Sequence, residues 1–389
     1  MTSAMIQWSE GEQICSARWH SENGIAPHKK IQIADDTLTA DIAYRLACEG
    51  TAMLYKGDFQ NARQLLQALV RRIDKPSKKS TRADRVVKEK TKSPLDIFNL
   101  HRLAQSQRAR ILGMVLIRIN ADHSISLRRA PDVAKACFEA YGEQAEPYVI
   151  SLRELLGVIS AHEWRKKGVS VLVRDDEEIR IHPHYGVFSP VRGEYIELVL
   201  KAPLPTTLQK NSTAFDIGTG TGVLAVVLAI RGIEKITATD QDDRAIACAK
   251  ENIKRLGLSS QIAILKTNLF PAEKAALIVC NPPWLPARPS SSLEHAVYDP
   301  ESQMLRGFLG KLKDHLLPGG EGWLILSDLA EHLGLRSREE LLSWIEDAGL
   351  KVIAHLDTKP QHQKVFDKTD ALYTARSKEV TSLWRLAIK

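Results

Sequence analysis

The chain has 389 residues, 44% hydrophobic and 26% charged, with 54 Lys/Arg against 47 Asp/Glu for a formal net charge of +7. That length predicts two or three domains of an ordinary soluble globular protein. No apolar run reaches the length of a membrane span, and the start MTSAMIQWSEGEQ lacks the basic and apolar regions of a signal peptide. The five cysteines, Cys15, Cys48, Cys137, Cys248 and Cys280, are scattered and show no C-x-x-C spacing. They argue against a disulfide framework or a metal site and fit a reducing cytoplasm.

Residues 1–30 are mixed and give no clear element. From Thr39 the spacing of Ile42, Leu46, Ala47 and Met53 or Leu54 predicts a helix stopped by Gly57. Asp58 is a candidate N-cap for a second helix with Leu65, Leu66, Leu69, Val70 and Ile73 on its apolar face. The stretch Arg71–Lys92 holds 10 basic and 3 acidic residues, a surplus equal to that of the whole chain. It reads as an exposed linker, with contact to RNA phosphates or the ribosome surface as the functional alternative. Aromatic residues are absent from it, which argues against a stacking platform for single strands.

Pro94 restarts order, with a helix from Leu95 to about Arg110, followed by a strand-like run at Met114–Ile119 and a short apolar stretch at Ile125–Leu127. Pro131–Tyr141 reads as helical, and Pro147 as the first turn of a helix to Lys167 closed by Gly168. Val169–Val173 and Ile179–Ile181 are a β-hairpin candidate. The organisation expected is therefore a helical region 1–70, a basic linker 71–93, a helical and mixed domain 94–183 ending in the hairpin, and a domain 184–389.

Within 184–389, a loop from His184 to Tyr195 feeds a helix at Ile196–Leu200. Apolar strands follow at Ala214–Ile217, Ile236–Thr239, Ile262–Leu265, Leu277–Cys280, Gly322–Leu326, Lys351–His355 and Leu383–Ile388. Helical runs separate them at Arg244–Leu256, Met304–Leu316 and Ser337–Ala348. The alternation predicts an α/β fold, a mostly parallel seven-stranded sheet with helices on both faces.

Chemistry concentrates at two strand ends. Phe215-Asp216-Ile217-Gly218-Thr219-Gly220-Thr221-Gly222 is strand, glycine turn and helix start. Residues without Cβ let a ligand come close to the backbone, and the helix N-terminus adds free N–H groups. The even glycine spacing departs from the G-x-G-x-x-G of dinucleotide sites. Asp240 ends the next strand, where a carboxylate can accept hydrogen bonds from ribose hydroxyls.

The second strand end carries Asn281-Pro282-Pro283-Trp284. A planar amide or exocyclic amine nitrogen is a poor nucleophile because its lone pair is delocalised. An Asn oxygen and a backbone carbonyl, both accepting from its NH₂ group, orient the nitrogen and favour developing positive charge. The two prolines fix φ and remove donors, and the aromatic ring can stack on a planar group. Alone, the four residues read as a turn with a core Trp; beside the glycine turn they read as a methyl-acceptor site. Cys280 reads as a small buried residue rather than a nucleophile, and His182, His184 and His295 as loop residues without a demanded role.

Residues 184 to about 330 resemble the class I S-adenosylmethionine (SAM)-dependent methyltransferases, and within them the HemK-like group that methylates planar nitrogens. The match is carried by FDIGTGTG at 215–222, Asp240, the AIACAKEN run at 245–252 and NPPW at 281–284. The resemblance implies a Rossmann-like domain with SAM as cofactor and no metal. It implies that Asp216, Gly218, Thr219, Gly220 and Gly222 line the methionine and ribose side of SAM, with Asp240 on the ribose. Asn281, Pro282 and Trp284 would act on the acceptor, Asn281 also bordering the cofactor, and Pro283 would flank the substrate. Asn268 stands where relatives usually have Asp, as a weaker acceptor for the adenine amine. Pro190–Tyr195 loosely echoes the P-R-x-E-T stretch of glutamine methyltransferases, which makes Arg192 and Glu194 candidate substrate contacts. Trp284 replaces the Tyr usual in the glutamine-modifying enzymes.

The expected activity is methyl transfer to a glutamine amide of a translation-related protein or to an exocyclic amine of an RNA base. A small-molecule methyltransferase, and a SAM-binding or nucleic-acid-binding protein without turnover, are the alternatives.

Overall fold

The computed structural model describes residues 4–75, 92–174, 177–191, 193–289, 294, 296–361 and 365–389. Most of the basic stretch 71–92, the candidate contact Arg192, and His295 lie outside the described residues. The chain divides into two compact units, Met1–Lys92 with Asn99–Glu163, and Ser93–Phe98 with Trp164–Lys389.

Among the described residues, the first unit is built on β1 (Met5–Glu10), β2 (Gln13–Trp19), β3 (Ile31–Ala34), β4 (Ala52–Tyr55), β5 (Val115–Ile119) and β6 (Tyr148–Ser151), in the order β1-β2-β6-β5-β4-β3. β1 pairs antiparallel with β2 and β5 with β6, and the other pairings are parallel. Its helices are α1 (Ala40–Cys48), α2 (Phe59–Ile73), α3 (Pro94–Leu112), α4 (Ala134–Tyr141) and α5 (Leu152–Lys167), α3 and α5 crossing the unit boundary. The expectation of a mainly helical N-terminal region is thus corrected to a mixed sheet with helices. Met53 and Leu54 continue the helical spacing, but Gly50, with φ of 83°, ends the helix, and after Thr51 the four residues Ala52–Tyr55 are a fully buried strand. Likewise the helix expected from Pro147 begins only at Leu152, after the strand β6. Asp58 does cap α2, its side chain accepting from Gln60 N at 2.8 Å.

The second unit opens with the hairpin β7 (Val169–Arg174) and β8 (Glu177–Ile181), paired antiparallel, then α6 (Glu194–Lys201). Its sheet consists of β9 (Thr213–Ile217), β10 (Lys235–Asp240), β11 (Ile262–Lys266), β12 (Ala275–Cys280), β13 (Leu316–Ser327), β14 (Leu350–Thr358) and β15 (Thr381–Ile388). The order is β11-β10-β9-β12-β13-β15-β14, with β15 antiparallel to both neighbours and the remaining pairings parallel. All seven strands fall where the apolar runs predict them. β12 is buried at every residue because helices cover both faces. On one face α7 (Val223–Ile230) packs almost wholly buried, which is why its sequence is apolar all round; α8 (Asp243–Arg255) follows β10. On the other face lie α9 (Gln303–His315) and α11 (Arg338–Asp347), with the short α10 (Leu329–His332) before α11. A last short helix, α12 (Tyr373–Arg376), precedes β15. Among the described residues no helix is long and apolar enough to cross a membrane.

Candidate functional site

The glycine turn leaves β9 and enters α7 under three constraints. Gly218 N and Thr219 N both donate to Thr239 O, at 2.9 and 2.8 Å, binding the turn to the end of β10. Asp216 Oδ2 accepts from Thr219 Oγ1 at 2.6 Å and from Ala225 N at 3.0 Å. It thereby caps α7, whose own N-cap, Gly222, has no side chain to do so. Asp240 Oδ2 accepts from Gly220 N at 3.0 Å, and its Oδ1 accepts from Asp242 N at 3.0 Å.

The glycines serve different needs. At Gly222 a Cβ would meet Ala249 Cβ at 3.3 Å, so its absence lets α7 sit against α8. Gly220, with φ of 54°, has nothing within 4 Å of the place a Cβ would take. That backbone borders open space beside the Asp240 carboxylate, the situation a close-approaching ligand requires.

Two carboxylates share this corner, and among the described residues no ion pair joins either of them to a cation. Asp216 is 1% exposed, and its Oδ1 is buried with no hydrogen-bond partner. Burial pushes its carboxyl up to about 6 against the pull of the Thr219 and Ala225 bonds, with the Asp240 charge pushing the same way. Burial likewise raises the Asp240 carboxyl, against its hydrogen bonds from Asp242 and Gly220. Since Ala225 N is already capped by a carboxylate, this helix start is not a phosphate site. The orphaned, buried acceptor suits a ligand bearing positive charge.

β12 lies parallel beside β9 with Cys280 opposite Ile217. Asn281 and Gly218 therefore leave the sheet from adjacent strands at the same edge. Trp284 Nε1 donates to Asn281 Oδ1 at 2.9 Å, which fixes the amide with its oxygen toward the indole. Pro282 is buried, and Pro283 and Trp284 are half-buried, the indole packing against both core clusters. Cys280 is fully buried, and burial drives its thiol well above the ordinary range, as expected for a packing residue.

The family model for ribosomal protein L11 methyltransferase (PrmA) matches residues 197–282, from α6 to the Asn281 turn. A ribosomal protein L11 methyltransferase of Bacillus pumilus is 30% identical over 115 residues, covering 25% of this chain and 37% of that protein. A release factor glutamine methyltransferase of Shewanella oneidensis is 39% identical over 93 residues, 23% of this chain and 32% of that protein. A ribosomal protein L11 methyltransferase of Sorangium cellulosum is 26% identical over 246 residues, 58% and 69% respectively. The chain spans about a third of the length of the first two of these relatives. These matches join the strand order, with one antiparallel strand in an otherwise parallel sheet and the glycine turn at its centre. The second unit has the Rossmann-like fold of class I methyltransferases.

In this methyltransferase fold the remaining candidates are spread more widely. Asn268 is exposed just beyond β11, at the same edge as Asp240. Glu194 lies in the first turn of α6 and accepts from Gln361 N at 2.9 Å; among the described residues it makes no hydrogen bond to the glycine turn or to residues 281–284. Three residues with structural control of the site escaped the sequence reading. Asn252, wholly buried, donates through Nδ2 to Thr221 O at 3.1 Å and His182 O at 3.2 Å, while its Oδ1 accepts from His182 N at 2.8 Å. Asp299, also buried, accepts from Met304 N at 3.0 Å and Leu305 N at 3.1 Å and so caps α9. Met304 in turn lies against Gly218, where a Cβ would come within 2.5 Å of its Cε. Asn252 belongs to the AIACAKEN run and was legible as a polar residue on an apolar helix face; Asp299 and Met304 carried no signal. Among the described residues no group of three or more His, Cys, Asp or Glu could hold a metal ion.

Proposed function

We propose that this protein is an S-adenosylmethionine-dependent N-methyltransferase whose acceptor is a glutamine side-chain amide in a protein of the translation apparatus. The observation that carries the reading is the adjacency of β9 and β12. It sets the Asn281 amide beside a glycine turn flanked by two carboxylates, Asp216 buried and Asp240 half-buried. When bound, S-adenosylmethionine supplies a methyl group made electrophilic by its sulfonium. Asp240 would hold the ribose hydroxyls with the lone pairs left on its oxygens, the backbone of Gly218 to Gly222 would line the cofactor, and Asp216 would answer its positive charge. Asn268 would meet the adenine amine.

Asn281 Oδ1 accepts one bond from Trp284 and keeps a second lone pair for an acceptor N–H. The Pro282 carbonyl takes the other N–H, and the Trp284 ring lies along the flat amide group, with Pro283 beside it. Held in this way the nitrogen faces the methyl carbon, and most of the acceleration comes from orientation. The proton lost from the nitrogen passes to water. Arg192 and Glu194 are proposed only to guide the acceptor, and residues 71–92 to contact its carrier. The names of the relatives, acting on release factor and ribosomal protein L11, support a translation protein as substrate and hence the cytoplasm as the place of work.

The test is methyl transfer from radiolabelled S-adenosylmethionine to ribosomes, total RNA and protein of cells lacking the gene. The expected label survives nuclease and is lost to protease. Label lost to nuclease would instead assign a base amine, and label in neither fraction would refute methyl transfer to a macromolecule.

A further inference from the structure

Arg336 lies between α10 and α11, on the segment that follows the carboxyl end of β13. Only 4% of it is exposed, and its Nε and Nη2 are buried without a hydrogen-bond partner. Buried guanidinium groups are otherwise paired, because an uncompensated charge out of water is costly. The same unit shows the paired form: Arg385 donates from Nε to Glu321 Oε2 at 2.8 Å and from Nη2 to Oε1 at 2.6 Å. Those two nitrogens make up the side edge of the guanidinium, whose parallel N–H groups match the two oxygens of one carboxylate. Arg336 presents that same edge with nothing on it.

Among the described residues no acceptor meets this edge. Asp299, Glu331 and Glu340 are the carboxylates whose charges act on Arg336. Asp299 is committed to Met304 N and Leu305 N, Glu331 accepts from Arg338 Nε at 2.7 Å, and Glu340 accepts from Ser337 N at 2.7 Å in a capping box. Asp299 also ties this neighbourhood to the proposed acceptor turn, since its N–H donates to the carbonyl of Leu285, the residue after Trp284, at 2.8 Å. Arg336 follows Ala330 and Leu333, which pack with Leu285 and Phe98 in a small apolar cluster.

We infer that Arg336 receives a carboxylate of the acceptor substrate side-on, and so selects a peptide with an acidic group near the methylated amide. The inference rests on the proposed N-methyltransferase reading for what occupies the site. Both nitrogens are closed to solvent, so a ligand enters only as the cluster opens. A flat carboxylate on a flexible side chain needs less opening than a phosphodiester, which is tetrahedral and carries a sugar on either side.

Two matched sets of short glutamine peptides, one with Glu and one with Gln at positions flanking the target, test this by calorimetric binding and by methyl incorporation. The full-length protein is compared with Arg336→Met and Arg336→Lys. The wild type is expected to bind the Glu set at least ~10-fold more tightly, the scale of a charge-assisted bidentate bond. Arg336→Met abolishes the difference while leaving S-adenosylmethionine affinity unchanged, and Arg336→Lys, which keeps the charge but not the fork, retains only part of it. If Arg336→Met does not fold, the Lys variant decides alone. Equal wild-type affinity for the two sets, no binding of either, or a preference that survives both substitutions overturns the inference. So does Arg336-dependent binding of an RNA oligonucleotide in place of peptide. Methylation of both sets at equal rates would sink the inference and leave the N-methyltransferase reading standing. Arg336-dependent preference without any methyl transfer would do the reverse.

Discussion

In the second unit β10, β9, β12 and β13 run parallel, and their carboxyl ends meet at one edge of the sheet, where Asp240, the glycine turn and Asn281 stand. In the first unit β1 runs against β2 and β5 against β6, so strand ends are divided between both edges. A parallel sheet collects the turns that follow its strands and opens a crevice among them; a mixed sheet of short strands does not. The buried polar groups differ accordingly. At the parallel edge Asp216, Thr239, Asn252 and Asp299 all hold turns in place. In the first unit His123 is spent on Tyr148 Oη and Gly142 O, each at 3.0 Å, inside its own fold. Direction of strands, more than composition, decides where this chain can do chemistry.

The comparison breaks most visibly if damage to one sheet is felt by the other's chemistry. Phe59, 1% exposed at the start of α2, anchors the first unit's core. Phe59→Ala is expected to cost that unit about 3–5 kcal/mol, while calorimetry finds S-adenosylmethionine bound by the second unit as before.

Asp216→Asn sharpens it from the other side. With its carboxyl raised by burial to about 6 from an ordinary 3.8, protonated Asp216 favours the folded state. The stability this group contributes is complete below pH 3.8 and is lost as pH rises through about 6, a change of about 3 kcal/mol. Asn mimics the protonated acid and keeps the acceptor for Thr219 and Ala225. Denaturant titrations should therefore show the variant flat across that window and more stable than wild type above it.

The smallest effect expected is at Trp284. Trp284→Phe keeps an aromatic face and removes the N–H that holds Asn281. The loss of one such bond, about 1 kcal/mol, should slow turnover roughly fivefold with little change in cofactor affinity. An unchanged rate would leave stacking as the whole role of this residue.

What was legible followed the same division. Leu277–Cys280 and its six companions announce themselves as apolar runs separated by helical spacing, most plainly in β12, which is buried on both faces and needs no polar residues. The first sheet hides its strands. β3, β4 and β6 have four residues each, too few for a period of two to stand out, and the residues of β4 extend the spacing of α1. One signal was available: Ser151 Oγ accepts from Glu154 N at 3.1 Å, so the S-x-x-E of Ser151 to Glu154 marks the true start of α5. At the site, Asp216, Asp240 and Asn281 were readable from motif and strand end. Thr239, Asp299, Met304 and the bare edge of Arg336 were not, since their partners lie on segments distant in the chain.

The most direct measurement pairs S-adenosylmethionine binding with single-turnover methyl transfer for Asn281→Ala and Asp240→Ala. Asn281→Ala should bind the cofactor within about twofold of wild type and lose ~10²–10³-fold in the rate of transfer, the scale of one positioned polar group. Asp240→Ala, which removes the proposed ribose acceptor, should raise the cofactor Kd by ~10–100-fold. Transfer at the wild-type rate by Asn281→Ala, or cofactor binding weakened as much by that change as by Asp240→Ala, would contradict the division of labour between the two strand ends.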